Sequence, residues 1–190
     1  TVKGEITAVT QVPRGIRVDT DVWFEDETGA RVISCPRTSL RPQANQSASN
    51  GPGAGQRPEN VITDVSALAR LDIYQLTPER VKAYSIEGNS IHYEQEAAEK
   101  AGFRAPLIGG GMGVHYLTAQ MWQDRRPHAF DAAIYFRRPI FWDETVQVGV
   151  IETPDQWQAM GLLKLPMNDE GEGGLTKVGT EMAISDYQPA

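Results

Sequence analysis

The 190-residue chain has one cysteine, Cys35, no uninterrupted run of about 20 apolar residues and no surplus of basic charge. A single cysteine excludes an internal disulfide and any Cys-rich zinc site, and it fits a reducing compartment, so a cytoplasmic location is expected. The most apolar stretch, residues 107–122, is broken by four glycines and His115, and no signal segment is visible, so no membrane partner is expected. Eighteen basic against 25 acidic side chains leave a formal charge of −7, and no basic stripe interleaved with aromatics is present. That balance argues against a phosphate backbone, so no nucleic-acid partner is expected. An initiator Met is also missing, since residue 1 is Thr.

What remains is globular by composition, at 40% hydrophobic and 23% charged. The sharpest internal shift is at residues 43–60, QANQSASNGPGAGQRPEN, which lack aromatics and branched aliphatics and read as a flexible linker. Charge divides around it. Residues 1–42 hold six basic and six acidic groups, whereas residues 61–190 hold 11 basic and 18 acidic and therefore carry the whole net charge. Before the linker, alternation over residues 15–24 and a second run at 30–34, joined by an acidic turn with Gly29, predict a hairpin; residues 1–12 supply a third strand. Three strands make a poor independent core and must lie on something else.

After the linker the pattern is α+β. A short strand at 71–76 leads into Thr77-Pro78, a helix start with Thr as N-cap, and that helix is expected to run to about Glu87. Residues 94–101 are rich in helix formers and stop at Gly102. From Gly111 to about Asp124, uncharged residues at helical spacing predict a buried helix that includes Trp122. Four strands follow, at 130–138, 145–152, 157–165 and 175–185, and the acidic glycine-rich stretch 168–174 reads as a hairpin tip.

Chemistry is suggested at one place. Glu87, Asn89 and His92 fall within six residues where a helix is expected to end, so a carboxylate and an imidazole can be turned toward one water or proton. Further on, Gly109-Gly110-Gly111 stands at the expected start of the buried helix, where unsatisfied N–H groups can hold a developing oxyanion. On their own, Glu87 and His92 also fit a solvated helix end and a loop histidine, and the glycines fit tight helix–strand packing. His115 and His128 read as structural. Arg104, Arg125, Arg126, Arg137 and Arg138 could meet anionic phosphates but read more simply as parts of solvated faces.

These residues resemble a family. Ser85-x-Glu87-x-Asn89-Ser90-Ile91-His92-x-Glu94, followed by Gly102-Phe103, Pro106-Leu107-Ile108 and Gly110, is similar to the signature of the MaoC-like, R-specific enoyl-CoA hydratases of the hot-dog fold. The stretch 130–150, with its Arg138-Pro139 step and Asp143-Glu144-Thr145 turn, resembles that family's strand pair. The resemblance covers about residues 61–190 and implies an antiparallel sheet wrapped around a long central helix. It implies that Glu87 and His92 hold a water for addition to a trans-2-enoyl thioester and that the Gly110 N–H meets the thioester oxygen. Asn89 and Ser85 would order the loop, with Gly109 and Gly111 beside the substrate. Three positions depart from the family pattern: Glu87 stands for Asp, Ser90 for Pro and Gly109 for His. They leave open a different substrate shape, a reshaped active site or lost activity.

The expected function is therefore a hydratase/dehydratase acting on an acyl-CoA or acyl-carrier thioester, with no metal and no redox cofactor. Two alternatives stand beside it: a catalytically silent hot-dog subunit that binds acyl chains or stabilises an active partner, and a hot-dog thioesterase. Residues 1–42 resemble the trailing strands of another hot-dog unit. The chain is thus expected to be the C-terminal part of a double hot-dog protein whose N-terminal half is absent, and to form homo- or hetero-oligomers.

Overall fold

Alternating apolar and polar residues set the strand Gly15–Glu25. The computed structural model describes residues 1–12, 15–42, 58–85, 88–153, 156–166 and 176–189, which belong to two units, Thr1–Pro58 and Glu59–Ala190. Most of the expected linker, residues 43–57, lies outside the described residues, as does the expected hairpin tip at 168–174.

The first unit is an antiparallel sheet of β1 (Val2–Val12), β2 (Gly15–Glu25) and β3 (Arg31–Pro42), with β2 in the middle. In the turn between β2 and β3, one Asp26 carboxylate oxygen accepts from the Thr28 N–H at 2.8 Å, the Thr28 hydroxyl at 2.7 Å and the Ala30 N–H at 3.0 Å. The Thr28 hydroxyl, then the Ala30 N–H, hold that carboxyl below the usual carboxylate range. The third strand is longer than the expected run 30–34. Register with β2 continues from Phe24↔Ile33 to Gly15↔Pro42, so backbone pairing extends it through polar residues that no alternation marks. Pro36 is tolerated because β3 is an edge strand.

The second unit opens with a 3-10 turn at Val65–Ala67 and strand β4 (Ala69–Gln75). Thr77 then starts α1 (Pro78–Ser85): its hydroxyl accepts from the Arg80 N–H at 3.3 Å and its carbonyl from the Val81 N–H at 3.0 Å. A 3-10 turn, Ser90–His92, leads to α2 (Gln95–Lys100), which ends at Gly102 in the left-handed region, φ +85°. The long helix α3 (Gly110–Asp124) follows, then β5 (Ala129–Phe136), β6 (Thr145–Glu152), β7 (Trp157–Lys164) and β8 (Lys177–Gln188). The strands form one antiparallel sheet in the order β4-β6-β7-β8-β5, and α3 packs against β6, β7 and β8. This is the expected antiparallel sheet around a central helix.

The core lies between α3 and the sheet, where Met112, Leu117 and Met121 meet Val146, Val148, Met160, Leu162 and Met182. Gly113, Leu117, Gln120 and Met121 fall at i, i+4, i+7 and i+8 and form the buried face of α3. The expectation that this helix is buried all round needs correction: His115 is exposed and Trp122 is 51% exposed. The outer face is uncharged because it carries Gly111, Thr118 and Ala119, and lack of charge is not burial. No helix of the described residues is long and apolar enough to cross a membrane.

A second correction concerns the arginines. Arg137 is not on a solvated face. Its guanidinium pairs with Glu181, which is 1% exposed, and that carboxylate also accepts from the backbone N–H groups of Val61 at 3.0 Å and Ile62 at 3.2 Å. The pair therefore straps the start of this unit onto β8. Arg104 makes a bidentate pair with Asp143, at 2.7 and 2.8 Å, and Arg125 pairs with Glu152 at 2.9 Å.

Candidate active site

The loop after α1 is shaped by short-range backbone bonds. The Gly88 N–H donates to the Ser85 carbonyl at 2.7 Å, and Asn89 then caps the Ser90–His92 turn, its side-chain oxygen accepting from the Ile91 N–H at 3.3 Å. A further bond, from the His92 N–H to the Asn89 carbonyl at 3.0 Å, closes the turn. Asn89 thus orders the segment that carries His92. Glu87 lies outside the described residues.

The imidazole of His92 is held from the other side of the loop. Its Nδ1 lies 2.8 Å from the carbonyl oxygen of Leu107, an acceptor only, so Nδ1 carries the hydrogen. Nε2 is left as the nitrogen that can take or give a proton. Leu107 is itself fixed, because its N–H donates to the Ile91 carbonyl at 3.4 Å and it bridges to Phe141, while the Ile108 N–H donates to the Ile140 carbonyl at 2.9 Å.

From Leu107 the chain runs directly into the start of α3. Gly109 is the N-cap residue, and its carbonyl accepts from the N–H groups of Met112 and Gly113. The N–H groups of Gly110 and Gly111 come before the first intrahelical donor, Met112, and have no partner within the helix. A Cβ on Gly109 would sit 3.8 Å from His92 Nε2, so the ring lies beside the helix start. At Gly110 a Cβ would come within 2.6 Å of the Phe136 ring, so only glycine lets that ring lie across the first turn.

These groups share one cavity of about 400 Å³. It is lined by His92, Gly109 and Gly110 at the polar end, with Phe103, Leu107, Ile108, Ile140 and Pro139 forming apolar walls. Phe136, 62% exposed, and Arg138 are also part of the lining. Such a cavity suits an apolar chain whose one polar group is met by a proton-transferring imidazole and backbone donors.

The same fold occurs in solved structures. HtdX from Mycobacterium tuberculosis superposes with a TM-score of 0.64 at 18% identity, over 97% of this chain and 67% of that one. A MaoC-like dehydratase from Phytophthora capsici gives 0.60 at 19% identity, over 97% of this chain and 61% of that one. A conserved hypothetical protein from Mycobacterium tuberculosis, described as having a double hotdog fold, gives 0.54 at 12% identity, over 100% of this chain and 69% of that one. This chain has a hot-dog fold. It spans 61% to 69% of the length of the second and third of these neighbours. No protein-family model and no curated protein matches the sequence.

Within this hot-dog unit the expected site residues separate into groups. His92, Gly109 and Gly110 line the cavity together. Ser85, Asn89 and Gly111 are not among its lining residues. Ser85 is the buried last residue of α1, Asn89 acts through the turn it caps, and a Cβ on Gly111 would meet the Tyr84 hydroxyl at 3.3 Å. The sequence reading missed the Leu107 carbonyl that fixes the His92 tautomer, the Phe136 ring over Gly110 and Thr180 in the cavity wall. His115 is paired with the Tyr84 hydroxyl at 3.0 Å on the exposed side of α3.

Proposed function

We propose that this chain catalyses the reversible addition of water to a trans-2-enoyl thioester, giving the 3-hydroxyacyl thioester. The observation that supports this best is the tautomer-fixed His92, with Nε2 beside Gly109 and the α3 N-terminus in one largely apolar cavity. The acyl chain lies along Phe103, Ile108 and Ile140. The thioester oxygen accepts from the Gly110 N–H, where the helix start favours the negative charge that develops on it. His92 and Glu87 hold the water: its hydroxyl bonds to C3, its other hydrogen passes to C2, and the double bond between them becomes single. The carboxylate role of Glu87 rests on the family resemblance. The reaction as written uses no metal and no redox cofactor. The MaoC-like and double hot-dog proteins among the structural neighbours support the same reading, as does the sequence signature. Their greater length makes an additional hot-dog unit or subunit part of the proposal.

The test is hydration of crotonyl-CoA, followed by loss of the enoyl absorbance. His92→Ala is expected to lower kcat by about 100-fold or more, the usual scale of a positioned acid or base. Glu87→Gln is expected to lower it as well. Equal activity of either variant and wild type would remove that residue from the mechanism. Release of free thiol without formation of the 3-hydroxyacyl product would favour a thioesterase instead.

A further inference from the structure

One polar side chain in the cavity has no part in the chemistry so far. Thr180 is 3% exposed and lies on β8, in register with Phe136 on β5 and Leu162 on β7. Residues directly opposite one another across an antiparallel pair project to the same face, so Thr180 and the Phe136 ring rise together beneath the start of α3. The Thr180 Oγ1 lies 3.1 Å from where a Cβ of Gly113 would be, one helical turn from Gly109 and Gly110. Thr180 also lines the cavity that contains His92 and Gly110.

Its hydroxyl makes no hydrogen bond to any described residue. The Ser85 hydroxyl, 7% exposed at the end of α1, is alike in this but does not line the cavity, whereas the other buried polar groups differ. Gln120 is held by Tyr74 and Asp124, Glu144 by Lys164 and the Phe141 N–H, and Glu181 by Arg137 and two backbone N–H groups. Among the described residues, no side-chain nitrogen or oxygen fully sealed from solvent lacks a partner, so the Thr180 hydroxyl keeps some accessible surface, and Thr180 is a residue of the cavity wall. A buried hydroxyl without a partner is costly unless a water or ligand engages it. A side chain of valine's shape would fit this sheet position without that cost.

We propose that the Thr180 hydroxyl is a second hydrogen-bond donor to the thioester oxygen, acting beside the Gly110 N–H. This rests on the hydration reading above. Two donors from different elements, a strand and a helix start, fix the carbonyl in direction as well as position. They strengthen together as charge moves onto the oxygen in the transition state.

Thr180→Val and Thr180→Ser test this in the full chain. With crotonyl-CoA, Thr180→Val is expected to lower kcat by about 100-fold, as removal of one oxyanion donor does, with KM changed much less. Thr180→Ser should restore most of the rate, and the thermal midpoint of Thr180→Val should equal or exceed that of wild type. Wild-type turnover by Thr180→Val would overturn the proposal, as would a lowered midpoint together with no rescue by serine. If wild type does not hydrate crotonyl-CoA, the hydration reading fails separately, and calorimetric binding of butyryl-CoA decides the role of Thr180. Several-fold weaker binding by Thr180→Val, recovered by serine, upholds the donor; equal binding by all three proteins overturns it.

Discussion

The two units are built from the same kind of antiparallel strand but are held by different forces. In Thr1–Pro58, strands of 11, 11 and 12 residues pair along their full length, yet Val2, Ile6 and Val9 are 60% or more exposed. In Glu59–Ala190, strands of seven to 12 residues enclose a core in which Leu117, Met121, Val146, Leu162 and Met182 are 0% exposed. Every buried hydrophobic residue among those described belongs to the second unit. Net stabilisation by a backbone hydrogen bond is about 1 kcal/mol and is set against backbone ordering of similar size, so pairing alone leaves a sheet marginal. Apolar burial decides the balance, and here it accompanies the cavity.

The largest expected effect follows from separating the units. Residues 59–190 alone should show a cooperative thermal transition by circular dichroism, and residues 1–58 alone should show none. A cooperative transition in the short piece would break the contrast, because three strands would then suffice without a core. The next effect compares ion pairs. Glu181→Gln removes the buried carboxylate that pairs with Arg137 in a nearly sealed site, and is expected to cost about 3–5 kcal/mol in denaturant unfolding. Asp21→Asn breaks the pair with Arg31 in the first unit, where both side chains are at least 25% exposed, and should cost less than about 1 kcal/mol. Equal costs would show that the strap formed by Glu181 on Val61 and Ile62 contributes nothing.

The site's local half was readable in the sequence and its distant half was not. Asn89, His92, Gly109 and Gly110 stand in two short segments, and a capped turn and a helix start can be inferred from residue type and spacing. The Leu107 carbonyl carries no side-chain signature, although it sets which nitrogen of His92 is open. Phe136 and Thr180 reach α3 only through strand register, and nothing near either residue in the chain points to a cavity. The same distinction holds for the fold. Alternation marked β2, and Thr77-Pro78 marked α1, but β3 continues past its apolar residues because β2 offers it a partner. Arg137 looked like one of several surface cations because its partner, Glu181, is on another strand.

The smallest expected effect is a pH dependence that appears in both units for related reasons. In the second unit the Arg104 guanidinium, which makes two hydrogen bonds to Asp143, holds that carboxyl below the usual range. In the first, the Thr38 hydroxyl and then Arg17 lower Asp19 across the β2–β3 pairing. A carboxylate with a lowered folded-state pKa binds its proton more readily when unfolded. Its contribution is therefore complete above the unfolded value of about 3.9 and is lost as pH falls through the folded value. Asp143 is 39% exposed, so solvent screens the pair and its share is less than about 1 kcal/mol. Asp143→Asn should flatten the acid limb of the thermal midpoint of residues 59–190 below about pH 4, leaving its slope near neutrality unchanged. Added salt should shrink the difference between variant and wild type, because the pair is open to counterions. An acid limb as steep in Asp143→Asn as in wild type would mean that the core unit's acid sensitivity comes from other carboxylates.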